Sequence, residues 1–119
     1  MYLVEDSPLI RTRVIESLSE SGTTRVVGFA DTENEALNGI QDAKPDADVL
    51  DIQLRRGNGL NLLRRLRSLN LEYRPLVIML TNYDNPEYRQ RAMAAGSDYF
   101  FDKASQFHRL SEVLDDIAG

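Results

Sequence analysis

Leu76-Val77-Ile78-Met79-Leu80-Thr81 is the stretch that decides the fold. Its apolar character is unbroken up to the closing threonine, and Pro75 opens it. A strand with one wet face alternates; a strand covered on both faces does not, so this run reads as the centre of a parallel sheet with helices on either side. Other short apolar runs flank it and also end on a residue with chemistry. Tyr2-Leu3-Val4-Glu5-Asp6 and Asp48-Val49-Leu50-Asp51 lie upstream, and Tyr99-Phe100-Phe101-Asp102-Lys103 lies downstream. Amphipathic segments of helical length separate these runs, the pattern of an alternating α/β chain.

The boundaries follow from capping and breaking residues. Strands are expected at Tyr2–Glu5, Arg25–Ala30, Ala47–Asp51, Leu76–Leu80 and Tyr99–Asp102. Ser7-Pro8 supplies an N-cap and a proline at N1 for a first helix that buries Ile10, Val14 and Leu18 and stops at Gly22. Thr32-Glu33-Asn34-Glu35 is a capping box opening a second, with Ala36, Leu37 and Ile40 inward and Lys44-Pro45 at its end. A third carries Leu62, Leu63, Leu66 and Leu69 on one face, with Arg64, Arg65 and Arg67 on a solvated one. Asn85-Pro86 caps a fourth that ends at Gly96, and Ser105 caps a fifth bearing Phe107, Leu110, Leu114 and Ile117. Five βα units make one domain over residues 1–119, and with the last helix at the terminus no output domain is expected in this chain.

Composition excludes several classes. Net charge is −5 and no basic stripe exists, so direct nucleic-acid binding is not expected. Without cysteine there is no disulfide, thiolate nucleophile or Cys-based zinc site. His108 is the only histidine, which leaves no His metal cluster and no triad partner. No apolar run approaches the roughly 20 residues that span a bilayer, and the N-terminus has no signal-peptide pattern; a cytoplasmic location is expected.

Ligands of an open parallel sheet bind beyond the carboxyl ends of its strands. Neighbouring strands would therefore gather Glu5, Asp6, Asp51, Thr81 and Lys103 in one crevice. A carboxylate can attack a phosphoryl group to form an acyl phosphate, once the repulsion between two anions is overcome. Mg²⁺ does this by bridging them, and it takes carboxylate, carbonyl and water oxygens. Asp6 is expected to be a direct ligand, with Glu5 beside it, Asp51 opposite, and the backbone carbonyl of Gln53 completing the protein's share. Thr81 offers a hydroxyl and Lys103 a point charge to the phosphoryl oxygens. One acid at a strand end is ordinarily a solvated edge or a helix cap, and a lone threonine or lysine is equally ordinary. The set is the signal. Arg56-Gly57-Asn58-Gly59 is a turn without the lysine and spacing of a phosphate-binding loop, so a nucleotide-binding hydrolase on a similar sheet lacks its motif.

In order and spacing, Val4-Glu5-Asp6-Ser7, Pro45-Asp46, Asp51-Ile52-Gln53-Leu54 with Gly59, Leu80-Thr81, Ala95-Gly96-Ser97-Asp98-Tyr99 and Lys103 resemble the receiver (CheY-like) domain of two-component response regulators, across essentially the whole chain. The resemblance implies a doubly wound (βα)5, flavodoxin-like three-layer sandwich with strand order 2-1-3-4-5. It implies that Asp51 accepts phosphate from a histidine kinase or histidine phosphotransfer protein, with Mg²⁺ held by Glu5, Asp6, Asp51 and the Gln53 carbonyl. Thr81 and Lys103 become the phosphate-sensing pair, and Phe100 the aromatic that follows Thr81 and remodels the helix 4–strand 5–helix 5 face. That face would address a downstream output domain or protein, and surplus apolar residues of helix 5 would be available to a homodimer. Such a module is enzyme-like only in catalysing its own phosphorylation and dephosphorylation. The alternative is a pseudo-receiver, a scaffold that binds partners without phosphate.

Some positions depart from the family pattern. Arg55 and Ala104 stand where prolines are frequent, and a cis peptide before Ala104 would cost about 3 kcal/mol. Asn82 replaces a very small residue, with Tyr83 just beyond; together with Gln53 these residues would modulate access to Asp51. Asp48 falls inside a buried strand, where it must lie near an open end, pair with a cation, or take up a proton.

Overall fold

The computed structural model describes residues 1–21, 24–69, 74–82 and 85–118. Five parallel strands, β1 (Tyr2–Val4), β2 (Gly28–Ala30), β3 (Ala47–Leu50), β4 (Leu76–Thr81) and β5 (Tyr99–Asp102), lie in the order β2-β1-β3-β4-β5. They alternate with α1 (Pro8–Ser21), α2 (Glu33–Ala43), α3 (Gly59–Ser68), α4 (Pro86–Ala94) and α5 (Lys103–Ala118). Side chains alternate across each strand, so the sheet separates two cores. Val4, Leu50, Val77, Met79 and Phe100 meet the α2, α3 and α4 residues Ile40, Leu62, Leu63, Leu66 and Ala92. Leu3, Val49, Ile78, Leu80 and Phe101 meet the α1 and α5 residues Val14, Leu18, Leu110 and Leu114. β4 is buried from Val77 onward, as its unbroken apolar pattern requires. No helix among the described residues is long and apolar enough to cross a membrane.

The caps form where the polar side chains sit. Ser7 Oγ accepts from Ile10 N–H at 3.3 Å, Thr32 Oγ1 from Glu35 N–H at 3.3 Å, and Asn85 Oδ1 from Tyr88 N–H at 2.9 Å. Helix α2 closes on Lys44, whose left-handed backbone (φ 49°) directs its N–H to the Ile40 carbonyl at 2.9 Å. The stop expected at Gly22, the access residue Tyr83 and the terminal Gly119 lie outside the described residues.

Several expectations need correction. β2 begins at Gly28 rather than Arg25, because its ladder with β1 is only Tyr2↔Gly28 to Val4↔Ala30. Helix α4 ends at Ala94; Gly96, at φ +105°, belongs to the turn beyond it, where its N–H reaches the Met93 carbonyl. Helix α5 starts at Lys103, so Ser105 is inside the helix and not its cap, and no described peptide is cis. The arginine face of α3 is not simply solvated. Arg67 donates to the carbonyls of Gly96 (2.9 Å) and Pro75 (3.0 Å) and pairs with Asp98 at 3.1 Å, while Asp98 also accepts Val77 N–H at 2.8 Å. Its planar fork ties α3 to the loops flanking β4 and β5. Lysine cannot span these partners, so Arg67→Lys should lower unfolding free energy by about 2 kcal/mol. Urea titration checks this, and an unchanged midpoint would show the network to be dispensable.

Candidate phosphoryl-transfer site

Backbone pairing carries the acids just past the strand ends. Glu5 N–H donates to the Ala30 carbonyl and Asp51 N–H to the Val4 carbonyl, both at 3.0 Å, so the ladder continues one residue beyond β1 and β3. α3 starts directly beneath. A Cβ on Gly59 would stand 1.9 Å from the Asp51 carbonyl oxygen, so only glycine permits this approach.

Lys103, first residue of α5, reaches back across the rim. Its ammonium bonds the Glu5 carboxylate and lies 2.9 Å from Asp51 Oδ2. Glu5 and Asp51 are buried, at 2% and 7% exposure, while Asp6 faces solvent. One carboxylate oxygen from each of Glu5, Asp6 and Asp51 lies within 4.8 Å of the others. That is a hard, all-oxygen donor set close enough for one divalent cation to touch all three after modest rotation, and it fits Mg²⁺. The second Glu5 oxygen accepts Ser7 N–H at 3.2 Å. Burial pushes the Glu5 carboxyl up to about 7, against the opposing pull of the Lys103 hydrogen bond, and nearby Asp51 pushes the same way. Burial would depress the Lys103 ammonium, but hydrogen bonds and charge from Glu5 and Asp51 outweigh it and hold the amine above its usual range.

A groove of about 220 Å³ opens over this cluster, lined by Glu5, Asp6, Asp51, Gln53, Asn82 and Lys103. A roomier cavity of about 340 Å³, lined by Met1, Arg25 and Pro45 among others, lies away from the acid cluster, so chemistry and not size marks the site. Gln53 and Asn82 are exposed on the groove's lip. Thr81 is brought to the end of β4, in register with Asp102, and is fully buried; it does not line the groove. Phe100 points into the core at 4% exposure, and the Arg89 guanidinium lies 4.7 Å from its ring centroid. His108 is exposed.

Among the described residues, Asp48 joins neither the groove nor an ion pair. It is fully buried on β3 between Tyr2 of β1 and Val77 of β4, on the α2–α3 side, and among the described residues both its oxygens lack a hydrogen-bond partner. Burial raises its carboxyl to about 7, opposed by the charges of the Met1 amine and Arg67. Of the readings open to it, the proton-bearing one matches this environment.

An order 2-1-3-4-5 sheet with acids beyond β1 and β3 and an ammonium beyond β5 defines a doubly wound α/β protein with a cluster of carboxylates at its rim. The chain belongs to the response regulator receiver domain family, whose model matches residues 1–115. It is 33% identical over 95% of its length to a protein-glutamate methylesterase/protein-glutamine glutaminase of Methanospirillum hungatei, covering 33% of that protein. It is 32% identical over 98% of its length to the DNA-binding transcriptional activator DevR/DosR of Mycobacterium tuberculosis, covering 53% of it. The chain thus spans a third to about half of these two relatives. Among solved structures, the REC domain of AraT, a response regulator from Geobacillus stearothermophilus, superimposes with a TM-score of 0.82 at 26% identity, covering 98% of this chain and 90% of that one.

Proposed function

We propose that the chain is a phospho-accepting switch in which Asp51 takes a phosphoryl group from a partner's phosphohistidine. The observation that carries this reading is the Lys103 ammonium, on a side chain only 8% exposed, bridging Glu5 and Asp51 beside exposed Asp6. An Asp51 carboxylate oxygen attacks phosphorus, the phosphorus–nitrogen bond of the donor breaks, and the imidazole leaves with its electron pair and takes up a proton. Glu5, Asp6, Asp51 and the Gln53 carbonyl would hold Mg²⁺, which when bound supplies charge neutralisation between nucleophile and phosphoryl group. Lys103 moves from Asp51 onto a phosphoryl oxygen, and Thr81 turns its hydroxyl to another. Phe100, with Arg89 on its ring, is the element through which that change reaches α4, β5 and α5 and hence a downstream output domain or protein. The same reading makes a cytoplasmic histidine kinase or phosphotransfer protein the donor.

Incubation with Mg²⁺ and acetyl phosphate, or with a phosphorylated kinase, followed by intact mass measurement, tests it. A labile single-phosphoryl adduct should form, require Mg²⁺ and vanish in Asp51→Asn. Absence of an adduct from either donor would favour a scaffold that binds partners without phosphate.

A further inference from the structure

The loop bearing Gln53 is anchored by Glu33. As the first residue of α2 in a capping box whose other acid is Glu35, Glu33 would be expected in solvent; instead it is 7% exposed. Its Oε1 accepts the backbone N–H of Asn58 at 3.1 Å, and its Oε2 accepts Asn61 Nδ2 at 2.6 Å and Arg65 Nη1 at 2.7 Å. Its own N–H donates to the Arg56 carbonyl at 3.0 Å. Burial opposes its charge, but the hydrogen bonds from Arg65, Asn58 and Asn61 prevail and keep the carboxyl below its ordinary range.

The loop is built around these bonds. Gln53 and Asn58 face each other in an antiparallel bridge, flanked by Gly59 N–H on the Ile52 carbonyl at 2.7 Å. In a pair flanked in this way, each residue turns its own peptide groups away from the other. Asn58 N–H therefore turns to Glu33, and the Gln53 peptide turns to the opposite side. Gly57 (φ +81°) lets the loop lie flat on the carboxylate: a Cβ there would stand 2.5 Å from Glu33 Cβ. Farther out, Arg55 meets Asp31 in a two-pronged pair at 3.0 and 3.1 Å.

We propose that Glu33 is a positioning residue for the cation site, fixing the Gln53 carbonyl through Asn58. The inference rests on the reading of Gln53 as a ligand given under Proposed function. Groups behind metal ligands commonly govern affinity by 10–100-fold. The test is Mg²⁺ titration of the full chain, followed by amide NMR shifts at Asp51 and Gln53, with hydrogen exchange of the Gln53–Asn58 amides measured without metal. Glu33→Ala should weaken Mg²⁺ binding about 10-fold and speed exchange at Asn58. Arg65→Ala breaks the ion pair but leaves the Glu33–Asn58 bond, so it should lose stability while keeping near-parental affinity. If Glu33→Ala binds Mg²⁺ like the parent, or Arg65→Ala weakens binding as much, the positioning role is overturned and the site reading stands. If the parent shows no Mg²⁺-dependent shift at all, both fall together.

Discussion

A Lys103→Met protein should unfold about 3–5 kcal/mol more readily than the parent in metal-free buffer at pH 8, the usual consequence of removing one member of a buried charge pair. Methionine fills much of the lysine stem's volume, so packing loss is small and the electrostatic loss dominates. The ammonium sits between the Glu5 and Asp51 carboxylates, both buried. Without it, Glu5, which burial already raises to about 7, would be pushed higher still. A folded-state pKa above the unfolded one means the native state holds protons the unfolded chain has lost. Stability then falls as pH rises from the ordinary glutamate range through the folded value, so the variant should be least stable above pH 7 and recover toward pH 5. Mg²⁺ should restore more stability to the variant than to the parent, since it replaces the missing charge; saturation at about 100 times the dissociation constant is worth about 2.7 kcal/mol. Denaturant titrations at pH 5 and pH 8, with and without Mg²⁺, check all of this. A loss below about 1 kcal/mol at pH 8, typical of exposed pairs, would mean the bridge is solvated in solution.

Asp48→Val should have the opposite sign. The parent carboxyl is fully buried with both oxygens unpartnered, and its pKa is raised from 3.8 to about 7. Below pH 4 the group is protonated in both states and contributes no pH dependence. Between pH 4 and 7 the unfolded chain ionises while the native one does not, so the parent loses stability continuously, on the order of 4 kcal/mol in total at about 1.4 kcal/mol per pH unit. Valine abolishes that slope and suits a β-strand covered on both sides. The gain over the parent should therefore grow from about 1–2 kcal/mol at pH 5 to about 4 kcal/mol at pH 8. The Met1 amine and Arg67 act on Asp48 from the N-terminus and from α3, and both are retained in the variant. A gain that is the same at both pH values would show that Asp48 keeps its charge through a water or a cation.

What could be read from the chain alone divides along physical lines. Strand ends were legible because apolar runs stop abruptly, so Glu5, Asp51 and Lys103 could be placed at one rim from apolar patterning and from the place of ligands beyond the carboxyl ends of parallel strands. Glu33 was not legible. Its local context is that of a helix start, and the partners that bury it lie 25 to 32 residues away, at the end of a loop whose path no periodicity encodes and on the α3 helix that follows it. Arg67 failed for the same reason: helix-face analysis assigns a side, but not the two separate loops, of Pro75 and of Gly96, that meet over it. The start of α5 was misplaced because Ser105 looks like a cap, whereas the chain turns helical as soon as β5 ends. Asp48 was visible as an anomaly, yet only coordinates could distinguish a paired charge from a lone one.

Phe100 and Phe101 are consecutive residues of an edge strand, yet each ring is seated in a different interior, one among α2, α3 and α4 residues and the other among those of α1 and α5. Like the consecutive residues of β1, β3 and β4, they join the two cores through one peptide unit, and here that unit lies next to the segment carrying the ammonium that bonds Glu5 and Asp51.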